Sequence, residues 1–560
     1  MLEGRLNKRL HRIRPDLIAY LMIAACIALL GIHALVDQRL LSHDEPLEYQ
    51  GVVDHARFAA EIAKGNKPDL HHDIIYNLEN YGIAAKIIPY LAGLALGASR
   101  TSSYDALINT AVNTGHYFFL SHLFILACGL LTSYIAVKWA KLLGIKNYWL
   151  AGAICLLMPR FSGEFLLNIK DLPFALFYTS YSLFGSIRLN HKPNQAKPDS
   201  AVLLLASSIT AGLMMATKIV AIAPIATLEL LIILASSANR TSFGRKVWDG
   251  VSCVTFSFLF SLLLTPSSWL EPLRFLKSAI SLFRNHDWPG GMWWLGTFMS
   301  KSQDPANWNT ALYLARWIGS TTPIWLFVLL AISLIRLAQH YDALLRWKPW
   351  SPLFLQAGFY PLLAITQGSN VYDGVRHFLF VMPAIAVMAM PGLNWLLNNS
   401  RNSRHSTREE LKKTLRAATL LLILLTWLDL ITLSPYTSSY FSEPFRFWTA
   451  DNKTSLDYWS ISAPEATERA IGRANQSLTS WCLASTDLPD HVVLSNKSTI
   501  KEVDCKFRPS AWQYQLDLTK DPSTRKPDQI CATESRWIWP GLKQELSSAC
   551  LHRIHVETKS

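Results

Sequence analysis

Long apolar runs of roughly 17 to 22 residues, parted by short polar stretches, dominate the chain as far as residue 434. Read as membrane spans they cover 16–36, 115–137, 148–162, 172–189, 201–217, 219–235, 248–266, 323–337, 351–366, 377–397 and 417–434. That makes about eleven spans, with the pair meeting at Lys218 open to being one broken segment. Beyond Ser434 the apolar runs stop, and Trp and Tyr alternate with polar residues between Pro-bounded turns. The pattern predicts an all-α polytopic membrane protein over 1–434 and a small mixed α/β domain over 435–560. The first run lacks a small-residue cleavage site and reads as a retained span rather than a signal peptide.

Composition agrees with a bilayer setting: half of the 560 residues are hydrophobic and only 17% are charged. The net charge of +13 does not point to nucleic acid, because the basic residues fall in short clusters between apolar runs. Arg5, Lys8, Arg9, Arg12 and Arg14 precede the first span and place the N-terminus in the cytoplasm. Counting spans from there, the connections carrying Lys138, Lys141 and Lys146, then Arg188, Lys192 and Lys197, then Arg240, Arg245 and Lys246, are cytoplasmic too. So are those with Arg346 and Lys348 and with the Arg401 to Arg416 cluster. The connection 37–114 is instead acid-rich, with Asp44, Glu45, Glu48, Asp54, Glu61, Asp69, Asp73 and Glu79. It reads as a first outer loop, with helical apolar spacing over Ile83 to Ala98 and parts of Val52 to Ala63 that suits helices along the membrane surface. A second outer loop, 267–322, is rich in Trp and fits an interfacial cap or a sugar-stacking surface.

An odd number of spans puts the tail outside, where Cys482, Cys505, Cys531 and Cys550 could form two disulfides in any of three pairings. The expected location is therefore an inner membrane of bacterial type, with a cytoplasmic N-terminus and an extracytoplasmic C-terminal domain.

The candidate chemistry collects on the expected outer side. Asp44 and Glu45 follow the first span in LLSHDEPLEY, where a carboxylate can accept a proton from an incoming hydroxyl. PRFSGEFLLNIKDLPFA places Arg160, Glu164, Asn168, Lys170 and Asp171 between two apolar runs, and charges so close to hydrocarbon need a partner, a wet cavity or a ligand. A plain hairpin with Lys170 and Asp171 paired is the bland alternative. Lys218 interrupts AGLMMATKIVAIAP, where it either snorkels or neutralises a phosphate at the membrane boundary. VYDGVRHFLFVMPA brings Asp373, Arg376 and His377 before a span; the Arg fork and the His suit a phosphate head group. No cofactor is assigned. A divalent cation stays open because His71, His72 and Asp73 lie side by side, although adjacent histidines diverge on regular structure.

With these motifs in order, the chain resembles the GT-C superfamily of membrane glycosyltransferases, in particular bacterial proteins similar to protein O-mannosyltransferases (glycosyltransferase family 39) and the aminoarabinose transferases of lipid A. Asp44-Glu45, NIKDLPFA, ATK ending at Lys218, YDGVRHFLFVMPA, SPYTSSYF and LDYWSIS carry the resemblance, which spans most of the chain. It implies a polyprenyl-phosphate sugar donor and a glycan, lipid or protein acceptor, with transfer outside the cytoplasm and inversion at the sugar. Asp44 is then the base, Glu45 its orienting partner and Asp171 a second acidic group. Lys170, Lys218, Arg376 and His377 bind the donor phosphate, and Arg160, Glu164, Asn168 and Asp373 line the substrate pocket. A multi-span transporter or lipid-sugar flippase is the competing class, and it predicts inverted repeats that the sequence does not show. A non-catalytic surface-assembly subunit would tolerate changes at both acidic sites.

Overall fold

The computed structural model describes residues 42, 44–68, 82–95, 116–190, 200–235, 240–285, 292–294, 297–299, 306–339, 348–369, 371, 374–398 and 407–445. It also describes strand backbones at 480–483, 501–502, 513–519, 530–538 and 542–554. In chain order the helices are α1 (Glu45–Ala63), α2 (Ile87–Ala95), α3 (His116–Leu142), α4 (Leu150–Leu156), α5 (Pro159–Ser162), α6 (Asp171–Leu189), α7 (Ser200–Met215) and α8 (Ile222–Leu234). They continue with α9 (Arg240–Leu263), α10 (Pro272–Asn285), α11 (Ala306–Thr321), α12 (Ile324–Gln339), α13 (Ser351–Gln367), α14 (Val381–Leu397) and α15 (Thr407–Leu433). A two-residue-linked antiparallel ribbon, β1 (Met292–Trp294) with β2 (Thr297–Met299), precedes α11.

The expected count of about eleven spans is corrected. Among the described residues, three helices are long and apolar enough to cross a membrane: Phe118–Leu142, Phe243–Leu263 and Glu409–Leu433. A fourth crossing arises if α11 and α12, bent by 111° at their junction, act as one. The apolar-run rule overcounts because it does not see backbone breaks. The 148–162 run ends as a helix at Leu156, and Met158 is extended before Pro159 opens a single turn. The 201–217 and 219–235 runs part at Lys218, whose backbone is extended at φ −146° and ψ 111°. The 377–397 run yields a 17-residue helix, because a 3₁₀ turn takes Arg376–Phe378. The 16–36 run lies outside the described residues.

The apolar residues sort by position as a bilayer protein requires. α6 packs against α3, α7 and α13, α7 against α9, and α12 against α14. Their shared interior holds Trp139, Tyr178, Tyr181 and Trp325 with essentially no exposure. Outward faces stay apolar: Trp248, Phe256 and Leu263 on α9 and Leu420, Leu421 and Leu424 on α15 are exposed. A helix apolar on all sides is one that hydrocarbon, not water, surrounds.

A charged pair lies inside the bundle. Arg188 on α6 donates from Nη1 and Nη2 to Glu229 Oε1 and Oε2 of α8 at 2.5 and 2.7 Å, and the Tyr181 hydroxyl adds a bond of 2.9 Å to Oε1. This fork pins α6 to α8 far along the chain from Asp171. Glu229→Leu leaves a buried guanidinium uncompensated and is expected to cost about 3 kcal/mol, lowering the unfolding temperature in detergent. Arg188→Met added to Glu229→Leu should restore most of that loss; a single variant as stable as the parent would remove the pair from the list of fold determinants.

The tail forms a five-stranded mixed sheet in the order β4-β3-β5-β7-β6, from β3 (Ser480–Leu483), β4 (Lys501–Glu502), β5 (Gln513–Thr519), β6 (Ile530–Ile538) and β7 (Leu542–Ile554). β3 runs parallel to β4 and β5, and the remaining pairs are antiparallel. Cys482 falls on β3, and Cys531 and Cys550 are register partners across β6 and β7. Cys505 and the side chains of this sheet lie outside the described residues, so the expected disulfides do too. The described cysteines Cys128, Cys155 and Cys253 are free and buried within the helical part.

Candidate active site

Four chain segments meet at one end of the helical bundle, and a fifth, the break between α7 and α8, adds Lys218. The start of α1 brings Asp44 and Glu48, which share one face because residues four apart stack on a helix. Pro46 opens this helix where its missing N–H costs nothing. The stretch before α2 brings Lys86. It is drawn in by Gly82, whose backbone lies against the carbonyl oxygen of Ala216 so closely that no side chain fits there. The loop between α4 and α6 brings Arg160, Glu164, Asn168, Lys170 and Asp171. The turn before α14 brings Arg376 and His377.

The charges alternate. Asp44 Oδ2 lies 3.2 Å from Arg376 Nη1 and 3.5 Å from Lys170 Nζ. Lys170 also pairs with Glu48, and Glu48 with Lys86, which is 4% exposed. Lys218 pairs with Asp171 across 47 residues of sequence, made possible by the extended break that turns its side chain away from α7. Its ammonium also sits 5.8 Å from the centre of the Phe174 ring. Burial alone would raise Glu48; Lys170 and Lys86 overcome it and hold that carboxyl below its usual range. Burial likewise works to raise Asp171, and Lys218, His377 and Arg376 together hold it well below the ordinary carboxylate value. Asp44 differs from its neighbours in access: its side chain is 17% exposed, against 2% for Glu48 and 7% for Asp171.

Glu45 faces elsewhere. Its Oε2 accepts the Ser42 N–H at 2.7 Å, and its Oε1 lies 2.7 Å from His122 Nε2 of α3. Adjacent residues on a helix point about 100° apart, so Glu45 fixes the start of α1 rather than touching Asp44. Asn168 is a bridge: its Nδ2 donates to Glu164 Oε2 at 3.1 Å and to Asp171 Oδ2 at 2.9 Å, and its Oδ1 accepts the Asp171 N–H at 2.8 Å. Arg160 donates from Nε to the Tyr440 carbonyl at 3.1 Å. Its guanidinium is stacked between Trp317 and Phe441, 5.3 and 5.2 Å from their ring centres.

The Tyr440 contact belongs to a buried strap. After α15 the chain returns over residues 436–442, every one of them buried. The strap presses on the loop after α5, where a Cβ at Gly163 would collide with the Ser438 nitrogen. At its far end Ser442 donates from N to the Ser320 carbonyl of α11 at 2.7 Å.

The structure thus brings together two paired clusters, Asp44 with Lys170 and Arg376, and Glu164 with Asn168, Asp171 and Lys218. Arg376 lies near enough to act on the charge of both acids of the second cluster, and His377 on that of Asp171. Asp373 lies outside the described residues, as do His71, His72 and Asp73. Among the described residues no group of three or more His, Cys, Asp or Glu side chains is placed to hold a metal ion. Three participants escaped the sequence reading. Glu48 had a usable signal in its spacing of four from Asp44. His122 had one as an imidazole inside an apolar run. Lys86 had none, since only the fold carries it to Glu48.

No protein-family model matches the sequence, and no curated protein does. Among crystal structures, the chain is similar to ArnT from Cupriavidus metallidurans in the apo state, with a TM-score of 0.44 at 13% identity over 84% of this chain and 83% of that one. It is also similar to ArnT from Cupriavidus metallidurans bound to undecaprenyl phosphate, with a TM-score of 0.40 at 12% identity over 95% of this chain and 97% of that one.

Proposed function

We propose that this protein is a GT-C-type glycosyltransferase that moves a sugar from a polyprenyl-phosphate donor to an acceptor hydroxyl at the extracytoplasmic face of the membrane. The observation that carries the reading is Asp44. It is a partly exposed carboxylate set beside Arg376 and Lys170. A base and a set of phosphate-binding cations are the two things transfer from a lipid phosphate needs in one place.

In this reading the lipid lies along the apolar outer faces of the helices, and its phosphate meets Lys170, Lys218 and Arg376, with Lys86 adding charge from its buried place beside Glu48. These four cations face the carboxyls Asp44, Glu48, Asp171 and Glu164, so positive charge is left over for an anion while Glu164 is protonated. The bond between the anomeric carbon and the phosphate oxygen breaks with its electron pair passing to the phosphate, where the cations stabilise the developing charge. The acceptor oxygen attacks from the opposite side, and Asp44 takes its proton as positive character builds on that oxygen. Holding charged side chains in opposed pairs before substrate arrives means little reorganisation is left for the transition state.

The test is transfer of radiolabelled sugar from a panel of polyprenyl-phosphate donors in membranes holding the intact protein. Label moving from one donor to an acceptor supports the reading and names the sugar. A donor that binds and crosses the bilayer unaltered would instead support the flippase.

A further inference from the structure

Asp171 and Glu164 are two acids held by one amide. The two N–H groups of Asn168 Nδ2 point to Oδ2 of the first and Oε2 of the second, which brings the carboxyls close enough for the charge of each to oppose ionisation of the other. Their surroundings differ. Asp171 sits at the N-terminus of α6, where the helix end favours negative charge, and Lys218 is in direct contact. Glu164 is 4% exposed and lies in the loop, one turn past Arg160, under the strap.

The ionisable groups around Glu164 are Arg160 from α5, Asp171 from α6 and Arg376 from the turn before α14. His377 and Lys218 stand beyond Asp171, while Tyr313 of α11 and Tyr440 of the strap face Arg160. Burial is the largest influence on Glu164, and Asp171 adds to it. The Asn168 hydrogen bond, Arg376 and Arg160 offset only part, and the carboxyl is pushed up to about 7. Two carboxyls whose environments drive them apart are the usual arrangement for dividing acid and base work.

Resting on the transferase reading, we propose that Glu164 is the acid of this site: it enters the reaction protonated and delivers that proton to the departing phosphate. The reaction then balances. The acceptor hydroxyl gives its proton to Asp44 and its oxygen to the anomeric carbon, the sugar–phosphate bond breaks toward phosphate, and Glu164 protonates the phosphate oxygen so freed. Asp44 ends protonated and Glu164 ionised, and one proton passing from the first to the second through solvent resets the enzyme. A neutral Glu164 also preserves the excess positive charge of the site while the lipid phosphate binds.

Two measurements on the full-length protein in lipid nanodiscs decide it. In infrared difference spectra, the parent should show a carboxylic-acid band that disappears as pH rises through about 7, and Glu164→Gln should lack it. In single-turnover transfer, the parent rate should fall through the same range, because only the protonated form donates. Glu164→Gln should be slower by on the order of 10²-fold with no alkaline fall, and Glu164→Asp should regain the fall. A band that survives in Glu164→Gln, or an unchanged alkaline fall in that variant, overturns the proposal. A band that behaves as expected in a protein that turns over no donor would instead bring down the transferase reading, and the acid role with it.

Discussion

Asp44→Asn should lower sugar transfer by on the order of 10²-fold or more while leaving the protein folded. The amide keeps the shape of the carboxyl and can still accept from Arg376 or Lys170, but it cannot take a proton from the acceptor. Asp44 is also the most open of the site's acids, so the change costs little in packing. Donor binding should survive, since the substitution removes a negative charge from among the cations that receive the phosphate. The informative comparison is therefore single-turnover transfer beside donor binding in the same membranes. Transfer lost with binding kept assigns Asp44 to the chemical step; transfer at the parent rate in a folded Asp44→Asn would end its role as base.

Asp171→Asn should act differently, through both stability and rate. Lys218 would lose the carboxylate beneath it, with only the Phe174 ring face left alongside, at a position where its side chain is 19% exposed. Removing one member of a largely buried ion pair costs about 3 kcal/mol, because the remaining charge stays desolvated. Lys218→Met should be nearly as damaging, since it leaves Asp171 facing Glu164 across Asn168 with its strongest counter-charge gone. The double variant Asp171→Asn/Lys218→Met should regain most of the thermal stability and none of the transfer. A double variant as unstable as the sum of the singles would show that the two side chains do not act as a pair.

How much of this was legible beforehand depends on sequence distance. The apolar class of the chain, the acidic character of the stretch that carries Asp44 and Glu48, and the polar break around Asp171 are all local and were readable. So was the interruption at Lys218, as a lysine set inside an apolar run. What could not be read is which charge meets which. Arg376 reaches Asp44 across 332 residues and Lys218 reaches Asp171 across 47, and no spacing rule links positions so far apart. The Asp44-Glu45 doublet misled for the opposite reason: the two look like one unit in the sequence, yet helix geometry sends Glu45 to His122 and lets Glu48 join Asp44 instead. The span count failed where an extended residue or a 3₁₀ turn cuts into an apolar run, at Met158 and at Arg376–Phe378, because composition carries no record of backbone direction.

The strap over residues 436–442 sets an order on biosynthesis. The loop bearing Arg160, Glu164 and Asp171 leaves the ribosome far ahead of Tyr440, whose carbonyl Arg160 needs, and of the Ser438 backbone that closes over Gly163. Until α15 has been inserted and the chain has doubled back, that loop lacks one of its walls and its guanidinium lacks its acceptor. A nascent chain halted before residue 436 would therefore carry the acidic groups of the site without the surface that holds them in place, and activity would come only with the last stretch of the helical part to be made.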